Sequence, residues 1–354
     1  MSNNADTFLN LICLGIGHDH HIQVNDVEWA TVEELAKQQG LSAVMVDGVE
    51  KLPENKRPPK QLLLQWIGET LQGYEYRYES YCRAISEMSA FYKEHGIEMM
   101  VLKGFGCSLN WPKPEHRPCG DIDIWLFGKQ RLADEVLSRE KNVRIDSSHH
   151  HHTVFYWRGF MVENHYDFIH EARHKSHKGL ESIFKELGED KSNSIQLYGE
   201  RVYLPSPNLH ALFLVRHALN HFVSIGINIR QVLDWAFFVK KNTHEIDWGW
   251  LVSVFEQYKM MPFFNCLNAI CVEDLGFSSS LFPVIQSVPS IKERILNDIV
   301  STPYSSVTSQ NNGLFFRFNR WVKSSWKQKY CYDESLLSSF WSGITEMLSR
   351  PASK

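Results

Sequence analysis

The hydrophobic period of this chain changes abruptly at Gly96, and that change restricts the fold more than any other feature. Before it, Leu63, Ile67, Leu71, Tyr74, Tyr78, Tyr81, Ile85, Met88 and Tyr92 recur at intervals of three or four. One apolar stripe therefore runs along a long helix from about Lys60 to His95. Gly96 stands where a helix end calls for a left-handed residue. Beyond it lie two short apolar runs, IEMMVLKG and IDIWLF (Ile122 to Phe127), bounded by turn residues. They read as buried strands. A short helix (Phe105 to Asn110) and the Pro-rich loop WPKPEHRPCG separate them. A helix is predicted at Gln130 to Glu140. Strands follow at Asn142 to Ser147, Thr153 to Arg158 and Phe160 to Ile169, the last two joined in a hairpin near Gly159. The order predicts an α+β fold, a small mixed β-sheet core flanked by helices.

On either side of this block the pattern is helical. The first fifty residues read as short helices, one from Thr31 to Gln39 with Thr31 as its cap and Glu33 and Glu34 in its first turn. The Pro-rich stretch LPENKRPPK links them to the long helix. From Pro205 onward, helices are predicted at 207–222, 229–241, 248–258, 262–273, 288–300, 313–328 and 334–348. Three parts are therefore expected: an N-terminal helical segment (1–59), an α+β core (60–204) and a mostly helical C-terminal domain (205–354). With 43% hydrophobic residues in 354, the chain can bury a core of that extent. Lys plus Arg number 37 against 41 Asp plus Glu, and 37 − 41 = −4, so bulk charge does not indicate nucleic acid as a partner. No apolar run is long enough to span a membrane. The N-terminus has no basic region ahead of its short apolar stretch and does not read as a signal peptide. The seven scattered cysteines, with no Cys-x-x-Cys, read as reduced thiols of a cytoplasmic protein.

The segment VLKGFGCSLNWPKPEHRPCGDIDIWLF carries the chemistry. Asp121 and Asp123 flank Ile122 at the start of an apolar strand, so both carboxylates share one face and Ile122 and Ile124 the other. Two neighbouring carboxylates repel each other unless a cation lies between them, and Mg²⁺ prefers such hard oxygen ligands. The plainer reading is a solvated strand end. Gly104 and Gly106 follow a strand and open a short helix, where backbone N–H groups can approach phosphate. Lys103 and Arg117 can add charge against a triphosphate. Read singly, Lys103-Gly104 is a strand-ending turn and Arg117 a surface ion pair. Together, a strand–Gly–helix unit followed by Arg-x-x-Gly-Asp-x-Asp points to phosphate chemistry.

On these residues the chain resembles the nucleotidyltransferase superfamily that includes DNA polymerase beta and the minimal nucleotidyltransferases. More narrowly, it resembles the uncharacterised bacterial nucleotidyltransferase-like family with a long helix before LKG and a Glu-x-His strand after GDID. The resemblance covers roughly residues 60 to 240. It implies that Asp121 and Asp123 hold two Mg²⁺ ions and that a neighbouring strand supplies a third carboxylate, which would ligate the second metal or take the proton. In MVENHYDFIH, Glu163, His165 and Asp167 alternate onto one face. Glu163 matches the family's Glu-x-His, with Asp167 as runner-up and His165 a cleft residue. Lys103, Gly104 and Arg117 would hold the phosphates, and the helix bearing Arg230 and Asp234 would pack near the cleft. Those two also stand four apart and read as an intrahelical ion pair. Two departures stand out: Phe105 replaces the serine usual after the first strand's Gly, and 121 − 104 = 17 positions separate Gly104 from Asp121.

The implied activity is Mg²⁺-dependent transfer of a nucleoside monophosphate from an NTP, with ATP expected, to an acceptor hydroxyl of a small molecule or protein. Because the serine is missing, the alternative is a catalytically degenerate nucleotide- or protein-binding module. A glycosyltransferase is a third reading, since Asp-x-Asp also binds Mn²⁺ with nucleotide-sugars; the LKG turn and Glu-x-His strand argue against it. His149 to His152 read as a polar loop entering a strand in preference to metal or phosphate contact at the cleft edge, with alternation sending His150 and His152 to one face and His149 and His151 to the other; HDHH (His18 to His21) reads as a loop. His210, His217 and His221 share a helix face and read as packing or cleft-lining residues rather than a zinc site, because no Glu follows His217. The basic aromatic segment FFRFNRWVKSSWKQKY reads as an amphipathic helix.

Overall fold

The computed structural model describes residues 3–18, 27–148, 151–169, 175–283, 285–301 and 325–331. It opens with α1 (Asn3–Gly15), α2 (Trp29–Gln39) and α3 (Ser42–Glu50). Helix α2 begins two residues before the predicted cap: Glu28 occupies the cap position without a capping side-chain bond, and Thr31 lies inside the helix. Its other end is capped by left-handed Gly40.

The predicted long helix is present as α4 (Lys60–Thr70) and α5 (Tyr76–Glu94), joined through a π-helical turn, Leu71–Glu75. That wider turn breaks the stripe. In α5, Tyr81, Ile85, Met88 and Tyr92 are buried as read, but Leu63 and Ile67 are half-buried and Leu71 is exposed. An i→i+5 turn rotates one half of the stripe against the other. Gly96 closes α5 as expected. Its φ is 67°, its N–H donates to the carbonyl of Lys93 at 2.9 Å, and Ile97 N–H donates to that of Tyr92 at 2.9 Å.

Next come β1 (Met100–Val101), α6 (Phe105–Ser108), β2 (Ile122–Trp125), α7 (Gln130–Lys141), β3 (His152–Trp157), β4 (Phe160–His165), α8 (Lys175–Leu187), β5 (Ser194–Leu197) and β6 (Glu200–Tyr203). The six strands form one sheet in the order β3-β4-β2-β1-β6-β5. β2 runs parallel to β4 and β1 parallel to β6, and the remaining pairs are antiparallel, so the sheet is mixed. The expected α+β class is the one observed. Two predictions are corrected here. Asn142 to Ser147 is not a strand, because Asn142 leaves α7 at φ 53° and only Asp146 bridges to Val154. β4 stops at His165 rather than at Ile169. Helix α8 and the β5–β6 hairpin, which turns through left-handed Tyr198 and Gly199 (φ 49° and 89°), were not predicted.

The last described elements are α9 (Pro207–Ser224), α10 (Ile229–Asn242), α11 (Trp248–Gln257), α12 (Met261–Ala269) and α13 (Pro289–Ser301). A further helical stretch is described at 325–331 and covers 325–328 of the helix predicted at 313–328; the rest of that helix, all of 334–348 and most of the basic aromatic segment lie outside the described residues.

The sheet's alternation sorts its side chains into two cores. Val101, Ile122, Ile124, Phe155, Val162 and Val202 pack with α5 and α7. Met100, Leu102, Trp125 and Tyr203 belong to a larger cluster that continues through α1–α3 and α9–α13. The candidate site lies on this second face. Residues from 1–59, 60–204 and 205–354 all contribute to the second cluster. Among the described residues, no helix is long and apolar enough to cross a membrane. All seven cysteines are free.

Candidate active site

Parallel pairing of β2 with β4 puts Asp123 directly opposite Glu163. Asp121, two residues before Asp123, joins them. One carboxylate oxygen from each of Asp121, Asp123 and Glu163 lies within 4.8 Å of the other two. Asp167, the runner-up, is absent from this cluster: its Oδ1 is paired with Lys185 Nζ at 2.5 Å. Asp123 is fully buried and, among the described residues, its Oδ2 has no hydrogen-bond partner. A buried carboxylate oxygen left unpaired is costly. An oxygen-seeking divalent cation would satisfy it, so these residues fit the metal that the resemblance implies.

Two cations brace the cluster. Lys103 Nζ lies 3.0 Å from Asp123 Oδ1, and His165 Nε2 donates to the same oxygen at 3.0 Å. His165 also lies 3.4 Å from Glu163 Oε2. Burial opposes the charged form of His165, but Asp123 and Glu163 outweigh it and push its pKa up to about 9. Burial likewise opposes ionisation of Glu163, yet the bond from His165 and the charge of Lys103 hold it down at about 2. Burial disfavours charge on Lys103 too, and Asp123, Asp121 and Glu163 together raise its pKa above the ordinary value.

Gly104 follows Lys103 with φ 63°, a conformation that L side chains rarely adopt. A Cβ there would sit 2.8 Å from Tyr81 Oη, which donates to the carbonyl of Asp121 at 2.7 Å. The glycine thus lets the β1 turn pack against the aspartate strand. The helix it opens, α6, has only four residues, and Phe105 at its start is buried, so the helix-terminus contribution expected from the sequence is small.

A cleft of about 120 Å³ opens beside the carboxylates, lined among others by Lys103, Gly104, Asp121, His217, His221 and Arg230. α9 supplies the two histidines, whose ring centroids are 4.2 Å apart, and α10 supplies Arg230. Burial and the nearby charge of Lys103 lower both histidines, His217 well below the ordinary range and His221 to about 4. They line the cleft as neutral rings at neutral pH. Arg117 also reaches the cleft wall, but its guanidinium is engaged: Nε donates to Asp234 Oδ1 at 2.7 Å and Nη2 to Oδ2 at 2.9 Å. Trp111 Nε1 adds a third bond, to Asp234 Oδ1 at 2.9 Å. Asp234 is therefore a buried partner of Arg117, where the sequence spacing pointed to Arg230.

His152 was missed as a site residue. It opens β3 in register with His165, and its Nε2 lies 3.9 Å from Glu163 Oε1. The polar-loop reading of the histidine run fails at this position; His149 and His150 lie outside the described residues, as do Asp19, His20 and His21. Alternation in the sequence already offered His152 a face of the strand; the register that pairs it with His165 is what the sequence does not carry.

An aspartate pair at the start of β2, a glutamate on the neighbouring β4 and a cleft lined by Lys103 and Arg230 set a group that could hold a divalent metal beside basic side chains. The model of a family described as an uncharacterised nucleotidyltransferase matches residues 25–275, and the chain belongs to that family. No curated protein matches it. Among solved structures it is similar to an antigenic nucleotidyltransferase-like protein from Paracoccidioides brasiliensis, at 11% identity and TM-score 0.38, over 58% of this chain and 97% of that one.

Proposed function

We propose that the chain transfers a nucleoside monophosphate from an NTP, with ATP expected, to an acceptor hydroxyl. The acceptor oxygen would attack the α-phosphorus, the bond to the bridging oxygen would break, pyrophosphate would leave and the hydroxyl proton would pass to solvent water. Divalent metal, Mg²⁺ in this reading, would be held by Asp121, Asp123 and Glu163 and would neutralise triphosphate charge and acidify the acceptor hydroxyl. The observation that carries this reading is the convergence of those three carboxylates, with Asp123 Oδ2 unbonded among the described residues, beside a cleft lined by Lys103 and Arg230.

Each side chain then has a role. Held below the usual carboxylate range by His165 and Lys103, Glu163 suits a metal ligand better than a proton acceptor, since a general base works best near the operating pH. His165 orients Asp123 and Glu163 through its bonds to both. Lys103 and Arg230 offer charge-assisted donors to phosphate oxygens. Arg117, engaged by Asp234, shapes the wall that presents Arg230. The neutral rings of His217 and His221 can donate or accept a hydrogen bond without repelling a cationic acceptor.

The test is titration of NTP with Mg²⁺, together with a pyrophosphate-release assay. Wild type is expected to bind and, with the right acceptor, to turn over. Asp121→Asn/Asp123→Asn is expected to lose binding. Absence of binding by folded wild type, or unchanged binding by the double variant, removes the proposal. Phe105, buried where a phosphate-contacting serine is usual, favours the second reading of a nucleotide-binding module without turnover. Binding without pyrophosphate release across a broad acceptor panel would support it.

A further inference from the structure

Beside the aspartate pair, two imidazoles bracket a single carboxylate. His152 opens β3, His165 closes β4, and the two are cross-strand partners, so both rings leave the sheet on one face. Glu163 stands two residues before His165 on that face. Its Oε1 lies 3.9 Å from His152 Nε2, and its Oε2 lies 3.4 Å from His165 Nε2. One ligand atom from each residue lies within 4.8 Å of the others. Neighbouring ligands of a tetrahedral zinc ion with bonds of about 2.1 Å stand about 3.4 Å apart, so small side-chain adjustments would close the set around one ion. The side chains of His152, Glu163 and His165 are 7%, 18% and 5% exposed, which shields the group from bulk water on most sides.

The outer contacts fit as well. His165 Nδ1 faces the backbone carbonyl of Asp167 at 3.3 Å. With one proton kept on Nδ1 and donated there, a metal would displace the Nε2 proton that Asp123 accepts in the metal-free chain and take Nε2 as its ligand, the arrangement in which metal-binding histidines are usually held. The donor set differs in kind from that of Asp121, Asp123 and Glu163. Imidazole nitrogen favours borderline first-row ions, whereas Mg²⁺ favours oxygen alone.

We propose that His152, Glu163 and His165 form a second metal site, for a divalent first-row transition ion such as Zn²⁺, sharing Glu163 with the oxygen-only cluster. The inference rests on the function proposed above only through that shared carboxylate. Glu163, with one oxygen turned toward each histidine, would couple the two sites.

The experiment uses the metal-stripped full-length chain, without nucleotide, and Co²⁺ as a visible stand-in for Zn²⁺. Wild type is expected to show a cobalt d–d absorption band that Zn²⁺ abolishes and an equal concentration of Mg²⁺ does not. Asp121→Asn is expected to keep the band. His152→Ala is expected to weaken Co²⁺ affinity about ten-fold or more. His152→Cys is expected to restore binding and add a thiolate-to-cobalt charge-transfer band, which holds the test open should His152→Ala fold poorly. A folded wild type without the band, or a His152→Cys variant without charge transfer, overturns the inference. Mg²⁺–NTP binding with no cobalt band would sink this inference alone; a cobalt band with no Mg²⁺–NTP binding would sink only the proposed activity.

Discussion

Asp234 shows how one buried side chain can fix a site wall. It accepts two bonds from Arg117 and one from Trp111, and both ionic partners are about 5% exposed. The ion pair spans 117 positions of sequence, so it ties α10 to the loop that leads into the aspartate strand. Removing one member of a buried pair strands the other's charge. Asp234→Ala is expected to destabilise the chain by about 3–5 kcal/mol. Arg117→Met/Asp234→Leu, which removes both charges and keeps volume, is expected to recover most of that loss. Urea unfolding of the three proteins checks this; equal stability of Asp234→Ala and wild type would show that the pair does not support the wall. Glu163 and Asp167 illustrate the limit of reading at this scale. A period of two places both on one face, and only the register with Asp123 and the claim of Lys185 on Asp167 separate them.

At the scale of elements, α9 is the helix whose burial has the clearest consequence for pH. His210 packs 4.7 Å from the ring of Phe238 and lies 3.7 Å from Cys107 Sγ. Burial lowers its pKa to about 4, as it does that of His221. Each folded pKa lies below the 6.5 of a free imidazole, so below pH 6.5 the unfolded chain binds protons that the folded chain refuses. Stability contributed by these residues is therefore present above pH 6.5 and lost as pH falls toward 4. For His210 the full effect is at most about 3 kcal/mol. His210→Asn is expected to flatten the slope of stability against pH in that range relative to wild type, measured by denaturant unfolding. Parallel slopes would mean that His210 is not held neutral by the fold. The stripe of α4–α5 was legible from its spacing, but the π turn between them was not, because an inserted residue leaves no mark in composition.

The whole molecule divides the two walls of the cleft between distant stretches of chain. The sheet side carries Asp121, just ahead of β2, with Asp123 and Glu163, while α9 and α10 carry His217, His221 and Arg230. The second core beneath them draws residues from α1 to α13. The division into 1–59, 60–204 and 205–354 is thus a proposal about sequence blocks that share one hydrophobic cluster. A fragment of residues 60–204 would expose Met100, Leu102, Trp125 and Tyr203, a patch of the kind that drives association. It is expected to aggregate on gel filtration and to bind no Mg²⁺–NTP, whereas the full chain melts in one main transition. A monomeric fragment with a cooperative melt would establish the core as a separate domain.

Hydrophobic period and glycine placement act over a few residues, and they suffice for the mixed α+β class, the long helix and its glycine stop, and the strand that presents Asp121 and Asp123 together. Three features emerge only once the chain is folded: which third carboxylate joins the pair, that Arg117 answers Asp234, and that His152 stands beside Glu163. Each of these depends on strand register or on helix packing across more than a hundred residues, and a local pattern carries no information about either.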